Sequence, residues 1–241
     1  MEPTPSLTAP ARPAPSVEQA WLSLVQAQVR TALAEALVLP DEGRLDEGWS
    51  QALGQLRGLV ARPAQRLRPA LLLAGYCLAR GSTTVPPGLW RFVAGLELMH
   101  TCRHVHAEVM ESGRGGECAG VRAARGGAPL HARLAPEPTG AHLAVVVGDH
   151  LFARAMEVMM EAEVPGALEA AQYCLRLERT TAAGHFRQEQ GGVLAEQGGV
   201  WRAFRLAQLR AVREGLASAL VCGAMLAGAE DGLRLLLARV G

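Results

Sequence analysis

Three residue types are missing altogether from this 241-residue chain: lysine, isoleucine and asparagine. Their codons are AT-rich, which points to a GC-rich coding sequence and leaves arginine to supply all 24 basic side chains. Aspartate is nearly missing too, occurring only at positions 41, 46, 149 and 231 against nineteen glutamates. Codon bias does not explain that shortage, because Asp and Glu codons can carry the same GC content. No stretch reaches the ~18 apolar residues of a membrane-spanning helix, and the start of the chain has no basic region leading into an apolar run, so no secretory signal is expected. The five cysteines, at 77, 102, 118, 174 and 222, form no C-x-x-C pair. An odd, dispersed set sitting mostly in apolar runs is expected to be free core thiols in a reducing compartment, hence a cytoplasmic protein. With a net charge of +1 and mixed signs along the chain, there is no electrostatic footprint for nucleic acid or an anionic membrane.

What is present is helical spacing. Residues 1–16 hold five prolines among Ala, Ser and Thr, and are expected to be a disordered tail; the functional alternative is a docking or packaging peptide of the kind found on shell-cargo enzymes. Residues 17–241 are 49% hydrophobic when taken with that tail, enough to bury one sizeable core. Ser16 is placed to cap a helix running to about Leu39, and Asp46 another to about Ala61. A third, near Arg66 to Arg80, has Pro69 in its first turn and ends at Gly81. Pro86 and Pro87 open a long helix to Glu111. Ser112 to Gly140, rich in Gly, Pro and Arg, is predicted to be irregular. Helices follow near Ala141–Ala162, Gly166–Gln190, Gly199–Leu226 and Asp231–Val240, with no period-two strand, so the fold class is all-α. Gly223 and Gly228 are expected to serve close helix packing, and Asp149, beside His150 in an apolar helix, to be a buried, hydrogen-bonded carboxylate.

The run Leu96 to Glu111, LELMHTCRHVHAEVME, carries the chemistry. His100, His104, Glu108 and Glu111 follow one another at steps of four, four and three, and therefore share one helix face. Two carboxylates one turn apart can hold a hard cation such as Mg²⁺, which takes oxygen ligands and completes its shell with water and phosphate oxygens. A solvated or arginine-paired face is the plainer reading of the same pair. His100 and His104 could instead bind Zn²⁺ with Glu97 or Glu108, but the H-E-x-x-H spacing is missing and a structural role is expected at both. Cys102 has only histidine neighbours for a base, so nucleophilic catalysis is not expected. Arg66 and Arg68 stand at a helix start, where a bound anion would also meet amide donors. The helix dipole disfavours cations there, which favours an anion-binding role over a plain surface pair.

From about Leu56 onward the sequence resembles the trans-isoprenyl diphosphate synthases, or polyprenyl synthetases. Glu97, Leu98, Met99 and His100 stand for that family's E-L-I-H, and His106 to Glu111 for its H-D-D-x-x-D, with Ala107, Glu108 and Glu111 at the three metal-binding Asp positions. Gln65-Arg66-Leu67-Arg68-Pro69 resembles the end of G-G-K-R-x-R-P, and Gly148 to Ala155 resembles the G-D-x-L-L-A-R-A helix. Met225 to Ala229 is similar to a later M-L-A-G-A stretch. The resemblance implies an all-α helical bundle around a central cavity, truncated before the family's second Asp-rich helix. It also implies an isopentenyl diphosphate-like pocket made by Gln65, Arg68, His100 and Arg125, the last in competition with Arg114, and a residual metal site at Glu108 and Glu111 taking Mg²⁺ if any metal.

The departures shape the functional reading. Gln65 gives up the family's Lys charge where Arg would have kept it, Ala107 removes one metal ligand, and no second D-D-x-x-D can be assembled from four aspartates. A degenerate or regulatory subunit of isoprenoid biosynthesis is therefore expected, with a residual pocket for diphosphate or an isoprenyl diphosphate in which Arg68 and a protonated His100 donate. A homodimer, or a heterodimer with a complete synthase, is the expected assembly. The alternatives are a weakly active Mg²⁺-dependent prenyltransferase condensing isopentenyl diphosphate with an allylic diphosphate, and a non-catalytic helical scaffold or shell cargo protein.

Overall fold

A computed structural model describes residues 16–38, 46–62, 65–112, 128–194 and 216–240, with 111, 112, 187–194 and 240 in backbone only. Among the described residues every regular element is a helix, as the sequence pattern requires. Helix α1 (Val17–Ala36) starts at a capping box: the Ser16 hydroxyl accepts from the Gln19 amide and Gln19 Oε1 accepts from the Ser16 amide, so two orphan donors are satisfied reciprocally. Helix α2 (Glu47–Val60) is capped by Asp46, whose Oδ1 accepts from Trp49 N at 2.9 Å. Helix α3 (Leu67–Arg80) stops at Gly81, which takes the left-handed conformation at φ 62°, where a side chain would be strained. Helix α4 spans Pro87–Ser112.

The stretch expected to be irregular up to Gly140 instead contains α5 (Leu130–Leu134) and the first residues of α6 (Thr139–Met160). Pro129 precedes α5 with extended backbone, and the Glu108 carboxylate accepts from its first amide, Leu130 N, at 3.3 Å. A long-range partner thus supplies the cap that the local sequence does not. Helices α7 (Ala167–Leu194), α8 (Ser218–Leu226) and α9 (Asp231–Val240) complete the described chain; the part of the expected 199–226 helix before residue 216 lies outside it, as does the Pro-rich tail up to residue 15.

Helix α4 is the axis. Leu89, Phe92, Val93, Ala94 and Leu98 are completely buried, with α4 packed chiefly on α6 and also on α1. Helix α8 lies against α3 at backbone contact: a Cβ on Gly223 would overlap the Leu72 carbonyl, and one on Gly75 the Leu220 carbonyl. Gly223 therefore has the packing role expected of it. Gly228 does not; nothing stands within 4 Å of the place its Cβ would take, and its φ of 72° marks the turn out of α8. No helix among the described residues is long and apolar enough to cross a membrane.

Candidate functional site

The site begins at the turn into α3. Arg66, the residue before the helix, is held at φ 51° and ψ 42°, a left-handed conformation that costs a non-glycine residue on the order of 1–3 kcal/mol and persists only where its surroundings enforce it. Its own guanidinium does so. Nη1 donates to Glu97 Oε2 at 2.6 Å and Nη2 to the Val60 carbonyl at 2.7 Å, the side chains of Arg66 and Glu97 being only 8% and 7% exposed. Arg66 is thus spent on a buried ion pair, and the anion-binding role expected of it at the helix start is corrected to an anchoring one.

Two residues on, the same turn directs Arg68 to α4, where Nη1 lies 2.7 Å from His100 Nε2. His104 Nε2 approaches the same nitrogen at 2.9 Å, with the two rings edge to face. Burial, then the charges of Arg68 and the other nearby arginines, hold the His100 pKa down to about 2. The expected protonated His100 is therefore corrected to a neutral imidazole: its Nε2 lone pair accepts from Arg68, and the proton sits on Nδ1, which is buried without a partner. Arg68 in turn has its pKa lowered, first by burial and then by Arg103.

These residues open on a cavity of about 30 Å³ between α3, α4, α7 and α8, room for roughly two water molecules. Its polar wall is Arg68, His100, Arg103, Glu178 and Ser218, and Cys174 and Cys222 also line it, their sulfurs in contact at 3.9 Å. Arg103 Nε lies 3.2 Å from Glu178 Oε1, yet makes no aligned hydrogen bond, so the pair is Coulombic. Sequence reasoning missed Arg103 and Glu178. The signal was available for Arg103, which lies three residues after His100 and one turn after Met99 on the same face; for Glu178, on α7, nothing in the local sequence marks it.

The metal-binding expectations divide. Glu108 is partly buried and engaged by Leu130 N, while the Glu111 side chain lies outside the described residues. Among those residues, no group of three or more His, Cys, Asp or Glu side chains is arranged to hold a metal ion. Glu97, offered as a Zn²⁺ partner for His100 and His104, is committed to Arg66. Gln65 is exposed and contributes its carbonyl to Gln26 Nε2 at 3.2 Å; Arg125 and Arg114 lie outside the described residues. His106 packs where a Gly148 Cβ would be, donates from Nε2 to the Val145 carbonyl at 3.3 Å and stands 3.6 Å from Asp149 Oδ1. Asp149 itself has a 72% exposed side chain, so the buried carboxylate expected there is corrected to a surface one: its position on α6 turns it away from the core. The Cys102 pKa is pushed up to about 11, mainly by burial, which leaves it a protonated thiol and a poor nucleophile.

The helical fold of the described residues matches that of solved isoprenyl diphosphate synthase structures. A geranylgeranyl pyrophosphate synthetase from Pyrococcus horikoshii superposes with a TM-score of 0.69 at 14% identity, covering 92% of this chain and 62% of that one. The corresponding enzyme from Geoglobus acetivorans gives 0.66 at 18% identity, over 94% and 65%. One from Corynebacterium glutamicum, complexed with isoprenyl diphosphate and magnesium, gives 0.64 at 19% identity, over 90% and 62%. This chain therefore spans less than two thirds of the length of these synthases. No protein-family model and no curated protein matches its sequence.

Proposed function

We propose that the chain is a divergent polyprenyl synthetase homologue of isoprenoid biosynthesis that has become a degenerate or regulatory subunit and keeps a pocket for the diphosphate group. The observation that carries this reading is the 2.7 Å contact between Arg68 Nη1 and His100 Nε2 on the wall of one cavity. The two residues are 32 positions apart in sequence and belong to the two segments in which the family resemblance implies an isopentenyl diphosphate-like pocket. Loss of turnover follows from the residues around it. Ala107 offers no ligand where a metal-binding carboxylate stands in the family motif, and Glu108 already accepts from Leu130 N. Ionising an allylic diphosphate requires several cationic charges around the leaving group, and Mg²⁺ would be held here by Glu108, Glu111, water and the ligand's own phosphate oxygens. That donor set suits the ion but anchors it weakly.

The purified chain, given labelled isopentenyl diphosphate, allylic diphosphates and Mg²⁺, is expected to make no product alone, while calorimetry is expected to detect diphosphate binding. Arg68→Ala should weaken that binding by about 1.5–3 kcal/mol, the worth of a charge-assisted hydrogen bond. Turnover at ordinary enzyme rates by the chain alone would overturn the degenerate reading, and absence of diphosphate binding would overturn the pocket. A complete synthase recovered with the chain from its native host would identify the regulated partner.

A further inference from the structure

Two thiols with no part in the anion pocket are brought together by the fold. Cys174 on α7 and Cys222 on α8 are 48 positions apart in sequence, yet their sulfurs stand 3.9 Å apart, and both are free. Small side chains let the two helices come this close. Ala170 and Ala171 lie one turn before Cys174, Ser218 and Ala219 one turn before Cys222, and all four are buried, on the same helix faces as the thiols. Where α7 begins the approach is closer still, since a Cβ on Gly166 would overlap the Met225 carbonyl. Gly223, next to Cys222, seats α8 against the backbone of α3. The sulfurs need to close by roughly 2 Å to reach the length of a disulfide bond, a movement shared between two side chains that can each turn about χ1.

Access is set by the cavity. Cys174 and Cys222 are 4% and 1% exposed, and both line the space of about 30 Å³, which has room for roughly two water molecules. A reagent the size of hydrogen peroxide fits there and glutathione disulfide does not. The hydrogen bond to Cys174, then burial, pushes the Cys222 pKa well above the ordinary thiol range, so Cys222 keeps its proton and directs it at the Cys174 sulfur. We propose that Cys174 and Cys222 are a peroxide-oxidisable dithiol that closes into a disulfide joining α7 to α8. Cys174 Sγ, on giving up its proton, attacks one peroxide oxygen; the O–O bond breaks, hydroxide leaves and takes up that proton as water, and Cys174 becomes a sulfenic acid. Cys222 Sγ then attacks the sulfenic sulfur, and the displaced hydroxide departs as water with the Cys222 proton. Two thiols and one peroxide become one disulfide and two waters, the sulfurs losing the two electrons that the peroxide oxygens gain. This inference is independent of the diphosphate reading.

The test treats the reduced, folded full chain with hydrogen peroxide and, in parallel, with glutathione disulfide, followed by mass spectrometry of non-reduced peptides. Peroxide should join the peptides carrying Cys174 and Cys222, slowly because burial limits both access and thiolate formation, and dithiothreitol should separate them. Glutathione disulfide should join them far more slowly. The linked chain should melt on the order of 10 °C higher than the reduced chain, because the bond closes a long loop in the unfolded state. In Cys222→Ala the reaction should stop at a sulfenic acid on Cys174, trapped by dimedone. Peroxide that leaves both thiols free, or that joins either of them to Cys77, Cys102 or Cys118 instead, overturns the proposal. So does a link that forms only after unfolding in urea, equal rates with the two oxidants, or a linked chain that melts lower. If Cys222→Ala does not fold, the mapping and melting of the parent decide alone.

Discussion

The two halves of α4 are built on opposite terms. From Leu89 to Leu98 the helix is buried nearly all round, with Phe92, Val93 and Ala94 consecutive and fully enclosed, so its position is fixed by packing alone. From His100 onward the same helix carries Arg103, His104, His106 and Glu108, each partly or wholly exposed, and its neighbours are held by ion pairs and single hydrogen bonds. Glu97 marks the seam, a carboxylate at 5% exposure tolerated because Arg66 meets it. The lesson is that the ionisable chemistry of this helix gathers at the edge of the dry core, where groups lose much of their solvation while their backbone is already rigid.

The comparison can be broken at either half. The largest effect should come from Phe92→Ala, which empties a fully buried aromatic site and should cost about 4 kcal/mol of unfolding free energy by urea denaturation; a cost under about 1 kcal/mol would mean that the dry half does not hold the helix. At the seam, Glu97→Ala should cost about 3 kcal/mol, since it strands a buried guanidinium. Glu97→Gln should cost less because the amide oxygen still accepts from Arg66; a loss equal to that of Glu97→Ala would assign the whole effect to the charge and refute the hydrogen-bond contribution.

A smaller effect is expected in the pH dependence. An unfolded histidine titrates near 6.5, whereas folded His100 is held to about 2. Between these values the unfolded chain binds a proton that the folded chain refuses, so stability falls as pH is lowered through that window. From pH 7 to pH 5 the loss should be about 1–2 kcal/mol, and His100→Gln should flatten the slope by that amount in parallel denaturation series. The smallest change belongs to the wet half: Asp149→Ala should stay within about 0.5 kcal/mol, because an exposed carboxylate 3.6 Å from His106 is largely screened.

Much of the helical framework was legible because its signals are local. Ser16, Asp46, Gly81 and Pro87 each terminate or start a helix through their own backbone or side-chain chemistry, and the observed ends fall within about three residues of those expected. Helix α5 was not legible, since its first amide is met by Glu108 from α4. The same division holds in the site. The family-like spacing put Arg68 and His100 on one pocket wall, but the neutrality of His100, the diversion of Arg66 to Glu97 and the arrival of Glu178 from α7 all depend on distant neighbours. Periodicity placed Asp149 on an apolar helix but could not say which side of α6 faces inward at that level.

The left-handed turn at Arg66 also bears on the order in which the molecule assembles. Glycine would suit that backbone better, yet glycine has no guanidinium to reach Glu97 and Val60. The turn is therefore unfavourable until a carboxylate 31 residues further along the chain is in position, and local propensity alone cannot nucleate it. The first turn of α3, and with it the placement of Arg68, should form late, after the interior half of α4 has docked. Exchange protection of the amides at the start of α3 should then be gained after that of Phe92 and Val93 during refolding, making this corner a reporter of the last stage of folding rather than the first.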